Sequence, residues 1–202
     1  MIKRLSVGIV FTIILSGFIS AQTLSIGPIV GANFMTISNT PSSKKLVGLS
    51  IGAFANYSIN EHLGTNLKLL FSQMGTATDN SAVSVRLNYI HIPLSVVYFF
   101  GNAGNKIRPK LFIGPYASFL LNASDKNGNN IVFPNGNDVY LKTDFGGILG
   151  GGFNYLIKSR TWLNIDANYS TSFSSIVDAT NSDNKNKGFQ FNVGISFPIG
   201  SK

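Results

Sequence analysis

The chain has 202 residues, a formal net charge of +8 and no cysteine, which excludes a disulfide framework and a lipid anchor on cysteine. The basic residues are scattered along the sequence rather than gathered in one stripe, which argues against a nucleic-acid-binding protein. Only 12% of the residues are charged and 21 are glycine, and no apolar run beyond the N-terminus approaches the length of a membrane helix. This combination favours a membrane β-barrel over a helical membrane protein.

The N-terminus has the features of a cleavable export signal. A basic start at Lys3 and Arg4 precedes an uncharged apolar run over residues 5–19, and the small residue Ala21 follows. The run is short for a transmembrane helix, which needs roughly 20 residues. We therefore expect cleavage after Ala21, with residues 1–21 as the signal peptide and residues 22–202 as one domain. Loss of the two basic residues lowers the formal charge from +8 to +6.

Eight segments of the remaining chain alternate between large apolar residues and small or polar ones, which is the period of a β-strand with two different environments. The predicted strands cover residues 24–36, 47–59, 63–75, 85–100, 108–121, 140–157, 161–173 and 188–200. In the fourth strand the apolar face changes phase near Tyr89, which predicts a β-bulge there. The strand register is uncertain around Pro28, Pro93, Pro115 and Pro198, since proline cannot donate to a β-ladder.

The connections between these strands alternate in length. Those after the odd-numbered strands are long and polar, namely residues 37–46, 76–84, 122–139 and 174–187. Outer-membrane barrels combine long extracellular loops with short periplasmic turns and an even strand number. We therefore predict an all-β, eight-stranded antiparallel up-and-down transmembrane barrel in the cell outer membrane, with both mature termini in the periplasm.

The type of apolar residue on the outward face of the predicted strands changes along their length. Aromatic residues gather near the two strand ends, for example Phe34 and Phe189 at one end and Tyr57 and Tyr98 at the other, with aliphatic residues between them. Two aromatic girdles are typical of a protein surface that crosses a bilayer. We expect this face to contact outer-membrane lipid. The alternative is a soluble lipocalin-like barrel, in which the apolar face points inward around a ligand.

Several of these strands resemble one known family. Residues 87–94 (LNYIHIPL) and 108–116 (RPKLFIGPY) are similar to the signature of the Bacteroidota porin-family outer-membrane β-barrels. Residues 144–153 and 188–195 are similar to the later strands of that family. The resemblance spans about residues 22 to 200 and implies the barrel fold. Many members carry an acidic residue where this chain has His91 and an arginine where it has Asn168.

The inward face of the predicted barrel carries ionisable residues. They are Lys68, His91, Lys110, Lys142, Asp144 and Asp166. Buried charges need partners because their desolvation is costly, so we expect Lys68 and Lys110 to join a network with Asp166 and neighbouring asparagines. A narrow eight-stranded barrel can be filled by side chains, which favours a fixed polar core over a water or ion path.

Catalytic and metal-binding patterns are weak in this sequence. His62 is predicted in a turn and His91 in the lumen, so neither joins the serines and aspartates of the long loops. We therefore expect no enzyme activity, no cofactor and no metal site. Five glycines lie within residues 146–152, and strand alternation follows them. This arrangement indicates that strand 6 accommodates bulky neighbours rather than a phosphate.

Two functional classes remain open at the level of sequence. The first is a structural or surface-interaction protein that contacts an extracellular partner through its four long loops. The second is a small porin-like channel or transport protein for small solutes. Both interpretations include outer-membrane lipid as a partner and exclude nucleic acid.

Overall fold

The computed structural model describes residues 23–40, 42–78, 84–125, 127–132, 138–178 and 182–199. The predicted signal peptide and its cleavage site lie outside these residues. Eight strands follow one another in the order β1 Thr23–Ile37, β2 Lys44–Ser58, β3 Leu63–Ala77, β4 Val85–Phe99, β5 Ile107–Ser124, β6 Thr143–Lys158, β7 Thr161–Ser172 and β8 Asn186–Ile199. Each strand pairs antiparallel with the next, and β8 pairs with β1 to close the barrel. The predicted fold is confirmed. No helix in the described ranges is long and apolar enough to cross a membrane.

The two faces of the sheet have opposite chemistry. Large apolar side chains remain exposed on the outer face, as in Ile113 and Leu149, which are 60% and 61% exposed. Serine and asparagine side chains are buried in the lumen, as in Ser118 and Asn192. An apolar outer face around a largely polar interior is the arrangement of a barrel in lipid, where hydrocarbon takes the place of a protein core. The soluble alternative with an inward apolar face does not fit this burial pattern.

Strand β4 keeps one phase along its whole length, but its ladder with β5 shifts register between Asn88 and Tyr89. The predicted position of the bulge is therefore confirmed, whereas its assignment to β4 is wrong. Its ladder with β3 runs without a shift from Leu63–Tyr98 to Thr76–Val85. The extra residue lies on the neighbouring strand β5, where Tyr89 faces Leu120 and the preceding residue of β4 faces Asn122. The sequence pattern changes because apolar residues of β4 near the strand start point inward. They pack in an apolar cluster at that end of the lumen.

Three of the four prolines coincide with a gap in a ladder whose register is the same on both sides of that gap. The β1–β8 ladder omits Pro28, the β3–β4 ladder omits Pro93, and the β4–β5 ladder omits Pro115, while pairing resumes in register beyond each gap. Pro198 lies near the end of β8 and faces Ser25. Each missing proline donor therefore removes local pairing without causing the strand to slip.

The connections distinguish the two ends of the barrel. The short-turn end carries residues 59–62, 100–106 and 159–160, and the long-loop end carries residues 38–43, 78–84, 125–142 and 173–185. The first long-loop connection is shorter than predicted because β2 begins at Lys44 rather than near Val47. The length asymmetry is therefore carried mainly by the connections after β5 and β7.

Glycines of β6 make room for aromatic side chains of β5. Tyr116 is the register partner of Gly146, and Phe112 is the partner of Gly150. A Cβ atom added at Gly146 would lie 2.3 Å from Tyr116 Cζ, and one added at Gly150 would lie 2.6 Å from Phe112 Cζ. The prediction that these glycines accommodate bulky neighbours is confirmed, and the aromatic rings occupy the lumen as a result.

Candidate functional site

The lumen contains a buried cluster of three charges that joins three strands. Lys68 Nζ lies 2.8 Å from Asp166 Oδ2, and Lys110 Nζ lies 2.6 Å from Asp166 Oδ1. Lys68 belongs to β3, Lys110 to β5 and Asp166 to β7, so the cluster reaches across the barrel interior. All three side chains are at most 5% exposed. We call these residues the ion cluster.

The strand register explains how the ion cluster forms. Gly152 of β6 is the partner of Lys110 on one side and of Asp166 on the other. Because Gly152 has no side chain, the lysine stem can pass over β6 to reach the carboxylate. The Lys68 ammonium also lies 5.3 Å from the centroid of the Phe112 ring, a cation–π distance. Two ammonium groups thus share one carboxylate, and one of them, that of Lys68, also contacts an aromatic face.

The asparagines that we expected in this network bond elsewhere. Asn66 Nδ2 donates to Asn56 Oδ1 at 2.6 Å, and Asn56 Nδ2 donates to Asn164 Oδ1 at 3.3 Å. Asn164 Nδ2 in turn donates to Ser196 Oγ at 3.0 Å. These residues therefore form a separate neutral chain that links β2, β3, β7 and β8. In the described part of the chain, these asparagines bond to one another and to Ser196 rather than to the ion cluster. The expectation that neighbouring asparagines join the charged residues is therefore wrong.

Asp144 belongs to a second polar group nearer the long-loop end. Its Oδ2 accepts a hydrogen bond from Asn186 Nδ2 at 3.1 Å, and the same nitrogen lies 3.4 Å from the Tyr89 hydroxyl. Ser172 Oγ accepts from the Asn186 backbone N–H at 3.1 Å and lies 3.3 Å from the Tyr116 hydroxyl. The group thus ties together strands β4 to β8. The Asn186 amide donates to the buried Asp144 carboxylate and partly offsets the cost of its burial.

His91 lies in a third environment. Its Nδ1 is 2.8 Å from Ser118 Oγ, and its ring centroid is 4.8 Å from that of Tyr116. Asp144 is the register partner of Ser118 but bonds to Asn186 rather than to the histidine. The three residues therefore lack the base–acid contact of a hydrolase triad, and each is at most 2% exposed. The arrangement is that of a packed polar core.

Lys142 does not lie in the lumen, contrary to the prediction. Strand β6 begins at Thr143, so Lys142 belongs to the preceding connection. Its side chain is 82% exposed and its Nζ lies 3.7 Å from Asp138 Oδ2. The described residues contain no cluster of three or more histidine and acidic side chains suited to a metal ion.

An apolar cluster, which the sequence reading missed, occupies the lumen at the long-loop end. It consists of the fully buried side chains Met35, Ile37, Met74, Leu87, Tyr89 and Ile176. Five of them point inward from strands, whereas Ile176 comes from the β7–β8 connection. We call this group the mouth cluster. The continued period-two spacing of the apolar Met35 and Ile37 on the inward face of β1 was the available signal.

Backbone hydrogen bonds hold Ile176 in the mouth cluster. The Ile176 N–H donates to the Asn184 carbonyl, and the Leu141 N–H donates to the Ile176 carbonyl, both at 2.8 Å. Asp178 N–H donates to the Val139 carbonyl at 2.9 Å. The β7–β8 connection is therefore anchored to the end of the β5–β6 connection. From these two connections, Ile176 lies in the mouth cluster, and Tyr140 and Val177 pack against it.

Buried apolar side chains occupy the lumen at several levels. An apolar group of Val97, Phe99, Phe112, Tyr116 and Ile148 and a second group of Ile29, Phe54 and Leu70 occupy the interior beside the ion cluster. The mouth cluster occupies the interior at the long-loop end. The chemical role that this arrangement supports is to hold charged and neutral polar side chains in fixed positions in the lumen.

Comparisons with known proteins agree with this architecture. The sequence profile described as "Outer membrane protein beta-barrel domain" matches residues 20–178. Neisserial surface protein A is similar in structure, with a TM-score of 0.57 and 16% identity over 89% of this chain and 100% of that one. OprG from Pseudomonas aeruginosa gives 0.57 and 10% identity over 90% of this chain and 97% of its own. Identities this low show the fold alone. Among curated protein sequences, none matches this chain.

Proposed function

Because this chain belongs to the outer-membrane β-barrel domain family, we propose that it is a non-enzymatic structural or surface-interaction protein. In this proposal the lumen is closed and the long loops contact partners outside the cell. The observation that supports it is the series of buried side-chain clusters in the lumen, from the ion cluster to the mouth cluster. A barrel sealed in this way leaves its loops and its lipid-facing wall as the surfaces available for function.

The closed lumen is tested by planar-bilayer recording. We expect the purified protein to insert without stepwise conductance, because Ile176 and its five partners fill the mouth and aromatic rings cross the interior. Discrete, reproducible conductance steps would overturn the closed-lumen proposal. A 16-stranded porin, whose interior is an aqueous channel, serves as the positive control for insertion.

The alternative function is a small porin-like channel for small solutes. The polar lumen lining favours it, since serines such as Ser72, Ser95 and Ser118 face the interior. The ion cluster carries two ammonium groups for one carboxylate, so a channel of this kind would prefer anions. The same recording decides between the two proposals, since anion-selective steps would favour the channel.

We further propose that the long-loop end is extracellular and both mature termini are periplasmic. The support is the unequal length of the connections at the two ends. An epitope inserted between Asn127 and Gly128, in an exposed turn of the β5–β6 connection, should be detected by antibody on intact cells. Detection only after the outer membrane is permeabilised would reverse the orientation.

Two finer proposals concern the origin and processing of the chain. The motifs at residues 87–94 and 108–116 support a Bacteroidota source. The basic and apolar N-terminus supports removal of residues 1–21 during export. Intact-mass measurement of the protein from the outer membrane tests the second proposal, since a cleaved chain begins at Gln22.

A further inference from the structure

Two lysines flank β1 on the outer face of the barrel at the long-loop end. Lys187 of β8 is the register partner of Thr36 on β1 and of Thr171 on β7. On the other side of β1, Lys45 of β2 follows the last β1–β2 pair, Met35 with Leu46, and its contact with the exposed Phe189 ring places its side chain on the outer face. Lys187 lies between the buried Asn186 and Gly188, so its side chain belongs to the outer face. We call the row of Lys45, Thr36, Lys187 and Thr171 the rim row.

An aromatic row lies directly beneath the rim row on the same face. Phe34 pairs with Val47 on one side and with Phe189 on the other, and Phe189 pairs with Tyr169. The Tyr169 and Phe189 rings meet edge to face with centroids 5.3 Å apart. A row of cations and hydroxyls above a row of aromatic and aliphatic side chains matches the boundary between lipid head groups and acyl chains.

The two lysines can converge on one ligand. They lie two strands apart, so their backbones are separated by about 10 Å at the usual strand spacing. The Lys45 side chain already leans across β1, since its Nζ lies 5.8 Å from the Phe189 ring centroid. Phe189 is two residues beyond Lys187 on the same face. An acceptor about the size of a phosphate group above Thr36 is within reach of both lysine side chains.

Neither lysine has a carboxylate partner in the described chain. The ion pairs at this end use other lysines, namely Lys185 with Asp183 at 2.7 Å and Lys142 with Asp138 at 3.7 Å. Among the ion pairs and ring contacts of the described residues, Lys45 takes part in one, the contact of its Nζ with the Phe189 ring. The rim row therefore presents two uncompensated positive charges toward the membrane, and an anion is its electrostatic complement.

We propose that the rim row binds the phosphate of a phosphorylated glycolipid in the outer leaflet, with the acyl chains of that lipid on the aromatic row. The proposal rests on the extracellular placement of the long-loop end, and otherwise it is independent of the closed lumen. Ammonium groups bind phosphate as point charges. The Thr36 hydroxyl between the two lysines already donates to Ser43 Oγ at 3.2 Å and lies 3.4 Å from Thr76 Oγ1, so the lysines supply the contacts to the phosphate. The site therefore selects for the phosphate rather than for the sugar.

Native mass spectrometry of the detergent-solubilised protein, titrated with bisphosphorylated lipid A, tests the proposal. The variant Lys45→Gln/Lys187→Gln should bind about 30-fold more weakly than the wild type, since each basic residue at an anionic membrane surface contributes about fivefold. Lipid A without its phosphates should bind both proteins equally weakly. Lys45→Arg/Lys187→Arg should keep the affinity because it keeps both charges.

The matched control removes two charges from the same end of the barrel. Lys142→Gln/Lys185→Gln eliminates lysines that already have carboxylate partners, so it should change the affinity less than about threefold. Equal weakening by both double variants, or unchanged binding by Lys45→Gln/Lys187→Gln, would overturn the site. Heat-modifiable gel mobility verifies that each variant is folded. A conducting wild-type protein would refute the closed lumen without affecting this result.

Discussion

Replacement of Asp166 by asparagine is the most informative perturbation of the lumen. Asp166 is the shared partner of the ammonium groups of Lys68 and Lys110, at 2.8 and 2.6 Å. Asparagine has nearly the same shape, so packing is preserved while the negative charge is removed. Two buried ammonium groups then face each other without a carboxylate between them.

The expected cost follows from the burial of the cluster. Removing one member of a buried ion pair costs about 3–5 kcal/mol, because the remaining charge loses its compensation. Asp166 compensates two charges that are at most 5% exposed, so we expect Asp166→Asn to lie at the upper end of that range. In contrast, Lys68→Met/Lys110→Met/Asp166→Leu removes all three charges and should lie within about 2 kcal/mol of the wild type, since well-packed apolar residues can replace a buried ion cluster.

Urea titration of the protein refolded into lipid vesicles measures these differences. Trp162 is the single tryptophan of the chain and reports on unfolding by its fluorescence. The reasoning is refuted if Asp166→Asn changes the unfolding free energy by less than about 1 kcal/mol, well below the cost of an uncompensated buried charge. It is equally refuted if the triple variant is as unstable as Asp166→Asn, since the loss would then come from packing rather than from charge.

Two further predictions concern β6 and the β5–β6 connection. Gly150→Ala should impair folding into vesicles, because the added Cβ would lie 2.6 Å from Phe112 Cζ. The control Gly147→Ala, on the outer face, should fold normally. Equal folding yields of the two variants would contradict the prediction. Hydrogen bonds to the Asp125 carboxylate, first from the Asn129 side chain and then from its backbone, lower the pKa of Asp125. Asn129→Ala should therefore raise the pKa of Asp125, so that the turn loosens at a higher pH as the solution is acidified. NMR titration of the Asp125 carboxyl carbon measures this pKa, and an unchanged value would contradict the prediction.

The strands were predictable because burial in lipid and burial in the lumen impose different chemistry on alternate residues. That rule failed in β4, where Leu87 and Tyr89 are apolar yet point inward. A period-two pattern cannot distinguish an apolar residue in lipid from one in a plug. The resulting phase change suggested a bulge in β4, whereas the extra residue belongs to β5.

The lumen charges were predictable individually but not in their grouping. Inward phase identified Lys68, Lys110 and Asp166, since each sits between outward apolar residues. Their assembly depends on Gly152, the partner of both Lys110 and Asp166, and on a contact across the barrel that no strand pattern encodes. Ile176 was missed for a similar reason, because its burial arises from hydrogen bonds between two connections.

Labelling of single cysteines tests most directly whether the lumen is closed. The chain has no native cysteine, and four lumen serines, Ser50, Ser118, Ser170 and Ser196, are each 1% exposed. Each is replaced by cysteine in turn and treated in intact membranes with a small anionic methanethiosulfonate, which the excess ammonium charge would attract into any open path. We predict that the exposed control Asn127→Cys is labelled and that the four lumen cysteines are not. Labelling of the lumen cysteines in the folded barrel would contradict it.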